Sequence, residues 1–263
     1  MKAAGRSLRG RLRRAAEVLA VLAISDLRIR YGRGGLRAVK WFLDPFAALG
    51  VYLVLITLVL DTGSGQPGLV LVCAIVPFQL VMMGTVNALQ SVNTRASIIV
   101  NMSFPRILIP LSAVVTESIA FSASLVMLPL MMAIYGVEPT AAALWLPVAL
   151  ALTVVLATAL AYPSALFGLW YPELISFAVS MVRTLFFLAP GLVALSEISG
   201  VARDLLPFNP LTGLFELYRD ALLYGQSPPA WQILYPLAAS ALVLALAMRV
   251  YRREQASLAK LVG

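Results

Sequence analysis

Residues 69–89 read Leu-Val-Leu-Val-Cys-Ala-Ile-Val-Pro-Phe-Gln-Leu-Val-Met-Met-Gly-Thr-Val-Asn-Ala-Leu, without one charged side chain. A helix rises about 1.5 Å per residue, so about 20 mostly apolar residues cross the roughly 30 Å hydrocarbon core of a bilayer. Leu69–Leu89 is long enough to span. Five further stretches qualify: Trp41–Leu60, Ile107–Tyr135, Ala141–Tyr162, Leu174–Val193 and Trp231–Val250. Each gap carries its own turn chemistry: Asp61-Thr-Gly-Ser-Gly65, Asn93-Thr-Arg95, Gly136-Val-Glu-Pro139, Tyr171-Pro-Glu173 and a long segment from Ala194 to Ala230. The pattern predicts an all-α integral membrane protein, one domain over 1–263, with six transmembrane helices.

Composition agrees. The hydrophobic set makes up 61% of the 263 residues and charged residues only 12%, where a soluble domain averages roughly 25% charged. Mean hydropathy is +0.91. So little charge cannot cover a water-soluble globule. Histidine is absent, which removes the commonest general acid/base and the commonest metal ligand. The single cysteine, Cys73, cannot form an intrachain disulfide and reads as a small buried hydrophobe.

Eleven of the twenty basic residues precede position 42: Lys2, Arg6, Arg9, Arg11, Arg13, Arg14, Arg28, Arg30, Arg33, Arg37 and Lys40. A basic arm against a hydrophobic span fits attraction to anionic headgroups and the positive-inside rule, and no nucleic-acid partner is expected. With both termini in the cytosol, the inner segments collect seventeen basic residues, the outer ones only Arg203 and Arg219, and Arg183 falls within span five. Arg11–Arg14 followed by Ala15–Ser25 has the outline of a secretory signal, but Glu17 interrupts its apolar region and the chain after Ser25 is basic. At helical spacing Leu8, Leu12, Ala16, Leu19 and Ala23 share one face and Arg9, Arg13 and Glu17 another. Residues 8–27 are therefore read as an amphipathic helix in the membrane interface, with Gly32, Gly34 and Gly35 as the elbow into span one.

Enzyme readings find little support. No stretch matches G-x-x-x-x-G-K-[ST], no cluster has metal-ligand spacing, and no serine has a histidine to activate it. No catalytic residue, metal or bound cofactor is assigned. A membrane-embedded glycosyl or phosphoryl transferase would need acids converging at one depth, and only Asp44 and Glu117 lie well inside spans. Charge in a bilayer costs roughly 2.5–3.5 kcal/mol on insertion scales. Glu117 and Arg183 therefore either pair, with each other or with buried polar neighbours, or face a water-filled conduit.

The outer segment 194–230 is long for a connection without structure. Leu195–Leu206 and Leu211–Tyr224 both have helical apolar periodicity, separated by Pro207-Phe-Asn-Pro210. Two short re-entrant helices are expected here, the alternative being an amphipathic surface hairpin. Asn209 suits an N-cap with Pro210 at the first helical position.

Three elements carry a family resemblance: Phe104-Pro105-Arg106 with Ile107-Leu-Ile-Pro110-Leu-Ser112, Leu185-Phe-Phe-Leu-Ala-Pro190, and Asn209-Pro210-Leu211-Thr212 with Glu216-Leu-Tyr218-Arg219. In order and spacing they resemble the ABC-2 type polysaccharide-export permeases, the membrane subunits of exporters for O-antigen, teichoic acid, capsule and galactan. The resemblance runs from Arg28-Ile-Arg30-Tyr31 to the tail Glu254–Val262. It implies a permease in a bacterial cytoplasmic (inner) membrane, paired with a second copy of itself and two copies of an ABC nucleotide-binding subunit that carries the ATP and Mg, and handling a lipid-linked polysaccharide. A drug or antibiotic efflux permease shares the architecture.

The resemblance also assigns the segment 94–104 to coupling with the ATPase, with Thr94, Arg95, Ile98, Ile99 and Phe104 as its candidates. Sugar rings present an apolar C–H face that packs on aromatic rings while their hydroxyls stay hydrated. Phe46 and Tyr52 in span one, Phe78 in span two, and Phe177, Phe186 and Phe187 in span five are the conduit candidates, with Arg183 beside them. An aromatic residue in a span can equally face lipid or pack in the core. Asn209, Pro210, Phe215, Tyr218 and Arg219 are the candidates for an outer gate, Glu216, Tyr218 and Arg219 being able to tie that helix to its surroundings.

Overall fold

A computed structural model describes residues 8–31, 66–95 and 105–254, with seven scattered positions between 43 and 54. The described residues are helical throughout, with short connections. They form α1 (Leu8–Tyr31), α2 (Pro67–Thr94), α3 (Leu108–Ser124), α4 (Met127–Tyr135), α5 (Leu146–Trp170), α6 (Ile175–Leu188), α7 (Val201–Leu205), α8 (Pro210–Leu222) and α9 (Trp231–Glu254). Among them, four rods are long and apolar enough to cross a membrane: Pro67–Thr94, Leu108–Tyr135, Ala141–Trp170 and Trp231–Arg253. Most of the expected span Trp41–Leu60 lies outside the described residues.

The hub is α2, the helix of the opening stretch. Of its most apolar window, 78% is buried inside the protein, against 17% for α9. A helix apolar on every side is one that neighbours surround, and α3, α5 and α8 pack on it. At one end, Gly168 of α5 comes so close to α2 that a Cβ would stand 1.8 Å from the Leu89 carbonyl oxygen. Asn93 Nδ2 donates to the Gly168 oxygen there at 3.2 Å.

Proline and glycine set the breaks. The expected span Ile107–Tyr135 is jogged at Leu125 and Val126, four and three residues before Pro129, whose missing N–H cannot continue the ladder. The turn tightens instead, Leu128 N donating to Leu125 O at 3.2 Å. Gly136, at φ +66°, then ends α4, and Val137 N donates to Met132 O at 2.9 Å, the six-to-one bond of a Schellman ending.

Two boundaries depart from the sequence reading. The expected span Ala141–Tyr162 runs on to Trp170 through Pro163. The expected span Leu174–Val193 stops at Leu188 after 14 helical residues, about 21 Å. Ala189 is extended there because Pro190 follows it.

The ends of the rods sort by charge. Gly68 N donates to Tyr135 Oη at 3.1 Å at one end. At the other lie Arg95, Arg106, Arg252 and Arg253, with Tyr251 of α9 bonded to the Arg106 carbonyl at 3.0 Å. The C-terminal part of α1 sits against α3 at this basic end, burying Leu22, Ala23 and Leu27. Its N-terminal part carries the exposed Arg13–Glu17 pair at 2.9 Å.

Candidate functional site

Five aromatic residues from four separate parts of the sequence meet in one cluster. Phe186 is its centre and is buried. Its ring centroid lies 5.3 Å from Tyr52, 5.2 Å from Phe78, 5.5 Å from Phe187 and 6.2 Å from Phe215. The cluster thus joins Tyr52, from the expected first span, to α2, α6 and α8. Phe46 packs half-buried on the same core. Phe177 does not join: it lies nine residues before Phe186, about 14 Å along α6, and is 61% exposed.

Apart from Phe186, α6 buries none of its residues. Phe177, Met181, Phe187 and Leu188 are exposed, and the exposed Ser180 and Thr184 lie between them at helical spacing. The hydroxyls turn back onto their own helix, Thr184 Oγ1 donating to Ser180 O at 2.9 Å. Arg183 is exposed on this helix as well. It therefore does not pair with Glu117, whose Oε1 instead accepts from Asn87 Nδ2 at 2.5 Å. Near that bond α1, α2 and α3 line an open pocket of about 290 Å³ that includes Asp26, Asn87, Gln90, Thr94 and Glu117.

The second constellation sits on α8, buried from Leu211 to Leu222. Asn209 Oδ1 accepts from Leu211 N at 3.0 Å and Pro210 follows it, the N-cap that the sequence leads one to expect. Arg219 is fully buried. Its Nη1 donates to Glu216 Oε1 at 2.6 Å, its Nη2 to Pro190 O at 2.8 Å and Gly191 O at 3.3 Å, and its Nε to Val70 O at 3.3 Å. Glu216 Oε1 also accepts from Leu195 N at 3.0 Å. One guanidinium thus fastens α8 to the broken end of α6 and the first turn of α2, with donors and acceptors matched as a buried ion pair requires. Tyr218 Oη and Thr153 Oγ1 share a hydrogen bond of 3.0 Å. Asp220 accepts from Gln226 at 2.6 Å and from Gln232 of α9 at 2.7 Å.

The first of the two expected outer helices is not continuous. Residues 195–208 make a 3-10 turn, the five-residue α7 and another 3-10 turn: Ile198 is already extended, and Gly200 at φ +71° completes the break. Leu205, near the end of α7, is 61% exposed.

At the basic end, Thr94 is exposed and its hydroxyl bonds Gln90 O at 2.9 Å. Arg95, a coupling candidate by the family resemblance, turns inward and is buried. Its guanidinium bonds Asp26 of α1 and Ser112 of α3, and donates to Ile109 O at 3.3 Å. Ile98, Ile99 and Phe104 lie outside the described residues. Just before α3, Tyr162 Oη donates to Ile107 O and Tyr251 Oη to Arg106 O, both at 3.0 Å. Sequence reasoning missed Asp26, Tyr162, Tyr251 and Asp220. A polar tip near a span end was the only local signal for the tyrosines, and it is indistinguishable there from an interfacial anchor.

This bundle, with four apolar rods of membrane length, defines a multi-pass integral membrane protein. No protein-family model matches the chain. Among curated proteins it is 28% identical, over 86% of its own length and 88% of the relative's, to the O-antigen export system permease protein RfbA of Myxococcus xanthus. Two O-antigen export system permease proteins RfbA of Klebsiella pneumoniae are each 24% identical over 80% of this chain and 81% of their own length. The resemblance to ABC-2 type polysaccharide-export permeases is borne out.

Proposed function

We propose that this protein is the membrane subunit of an ABC exporter that moves a lipid-linked polysaccharide from the cytosolic to the outer face of a bacterial inner membrane. The observation that carries this reading is the likeness, over 86% of the chain, to a protein named as an O-antigen export permease. The names of the relatives do not favour drug efflux. In this reading the basic end of the bundle faces the cytosol, as the positive-inside rule directs. The chain crosses six times, α1 lies in the interface, and the segment 94–104 docks on a separate nucleotide-binding subunit that hydrolyses ATP.

Two permease copies face each other across the uncovered side of α6. That side supplies what a sliding polymer needs: Phe177 and Phe187 offer ring faces to sugar C–H groups, and Ser180 and Thr184 stand beside them. Each contact is weak, so the chain is held without being trapped. Phe46, Tyr52, Phe78 and Phe186 back this surface from behind, and Arg183 gives a charge to the conduit wall. The buried α8 is re-entrant and, with Asn209, Pro210, Phe215, Tyr218 and Arg219, forms the outer closure. Its Phe215 meets Phe78 at 6.4 Å, and Phe78 lies eleven residues, about 16 Å, from the start of α2.

Depleting the protein in its host is the test. One envelope polysaccharide should disappear from the cell surface while its lipid-linked form accumulates on the cytosolic side. Normal surface polymer, with no lipid-linked material inside, contradicts the proposal.

A further inference from the structure

Tyr162 and Tyr251 come from two different helices to one place. Tyr162 is near the basic end of α5, Tyr251 near that of α9, and both are buried. Their rings meet edge to face at a centroid distance of 5.6 Å. Their hydroxyls bond consecutive carbonyls, Ile107 and Arg106, in the turn that leads from the segment 96–104 into α3. No packing need puts an oxygen there, because phenylalanine would fill the same space. The hydroxyls are specific to the two carbonyls.

The same two helices hold α8 at the opposite end. Thr153 of α5 bonds Tyr218 at 3.0 Å, nine residues or about 14 Å along the helix from Tyr162. Gln232 of α9 bonds Asp220 at 2.7 Å, nineteen residues or about 28 Å from Tyr251. Close backbone approach stiffens this second joint: a Cβ on Gly213 would stand 2.9 Å from Pro236 Cγ of α9. Each rod is therefore bonded through a side chain to the exit of the segment at one end and to α8 at the other. The entrance of the segment is held differently, by Arg95 to α1 and α3.

We infer that Tyr162 and Tyr251 are positioning residues that carry a displacement of the segment 94–104 through α5 and α9 to the outer helix α8. The inference rests on the proposed docking of that segment on an ATP-binding subunit. It assigns the tyrosine pair as the joint between them. Shifting the Arg106–Ile107 turn pulls both hydroxyls together, and α5 and α9 then act on α8 at Tyr218 and Asp220.

The test uses the permease with its ATP-binding subunit in native membranes, in a Cys73→Ser background with Leu222→Cys as reporter. Leu222 is buried at the end of α8. ATP plus vanadate should raise its labelling by an impermeant maleimide. In Tyr162→Phe/Tyr251→Phe, which removes two oxygens and leaves the rings, that rise should shrink roughly fivefold or more, as loss of two hydrogen bonds from a linkage allows. Co-purification of the subunit and its ATP hydrolysis should persist. Each single variant should show a smaller loss in the same readout, so the prediction stands if the double variant fails to insert. A double variant whose labelling rises as in the parent overturns the inference, as does a parent that shows no rise. Ile98→Asp separates the two claims. If it leaves subunit binding and the labelling rise intact, the docking reading fails and the inference with it; if it abolishes subunit binding while the double tyrosine variant still labels as the parent does, the docking reading stands and the inference alone fails.

Discussion

Helices α6 and α8 are nearly the same length, 14 and 13 residues, and opposite in character. α8 is buried from Leu211 to Leu222 and held by Arg219, Glu216, Tyr218 and Asp220. α6 buries only Phe186 and shows Phe177, Met181, Phe187 and Leu188 to its surroundings. An ion pair in the core ties one in place, while the other keeps a mixed aromatic and hydroxyl surface uncovered. The contrast separates an element that the fold holds from one that the fold presents.

The strongest way to break this comparison is Arg219→Ala set against Arg183→Ala. Removing Arg219 leaves the Glu216 carboxylate buried without its cation and costs about 3–5 kcal/mol. Thermal unfolding in detergent should fall steeply, and export with it. Arg183 is exposed, and its loss should leave unfolding unchanged within about 0.5 kcal/mol. Equal effects would erase the distinction.

Adjacent phenylalanines sharpen it. Phe186→Ala opens a cavity among four rings and should cost about 3–5 kcal/mol. Phe187, 56% exposed, should lose little stability on change to alanine and instead reduce export, measured as surface polymer per copy of inserted protein. A Phe187→Ala variant that unfolds as readily as Phe186→Ala would mean that this face is packed.

The joint between α2 and α5 should follow. Gly168→Ala places a Cβ against the Leu89 carbonyl and forces the helices apart, at a cost of about 1–3 kcal/mol. Smallest is Asn209→Ala. Loss of the cap costs about 0.5–2 kcal/mol, so α8 should loosen, read as faster hydrogen exchange at Leu211 and Thr212, with the bundle intact.

Much of this architecture is legible in the sequence because the bilayer's length requirement is so coarse. The runs 69–89 and 231–250 announce themselves without any contact information, and Asn209-Pro210 marks a helix start by local chemistry alone. Arg183 and Arg219 were both intramembrane or outer arginines to a reader of the chain, and nothing local separates the exposed one from the fully buried one. Burial of Arg219 depends on carbonyls at Val70 and Pro190, 149 and 29 positions away. Arg95 is the same case: its partner Asp26 lies 69 residues distant. The break of the expected helix over Leu195–Leu206 lies in the backbone at Ile198 and Gly200, which apolar periodicity does not register.

The central claim is that the uncovered side of α6 is where polymer passes. A photoreactive phenylalanine analogue placed at Phe177, Met181 or Phe187 tests it directly, with the same analogue at Val154 and Leu242, exposed on α5 and α9, as controls. During export, the three α6 positions should capture carbohydrate on the permease and the two controls only lipid. Capture of carbohydrate equally at all five positions, or at none of those on α6, would contradict the account.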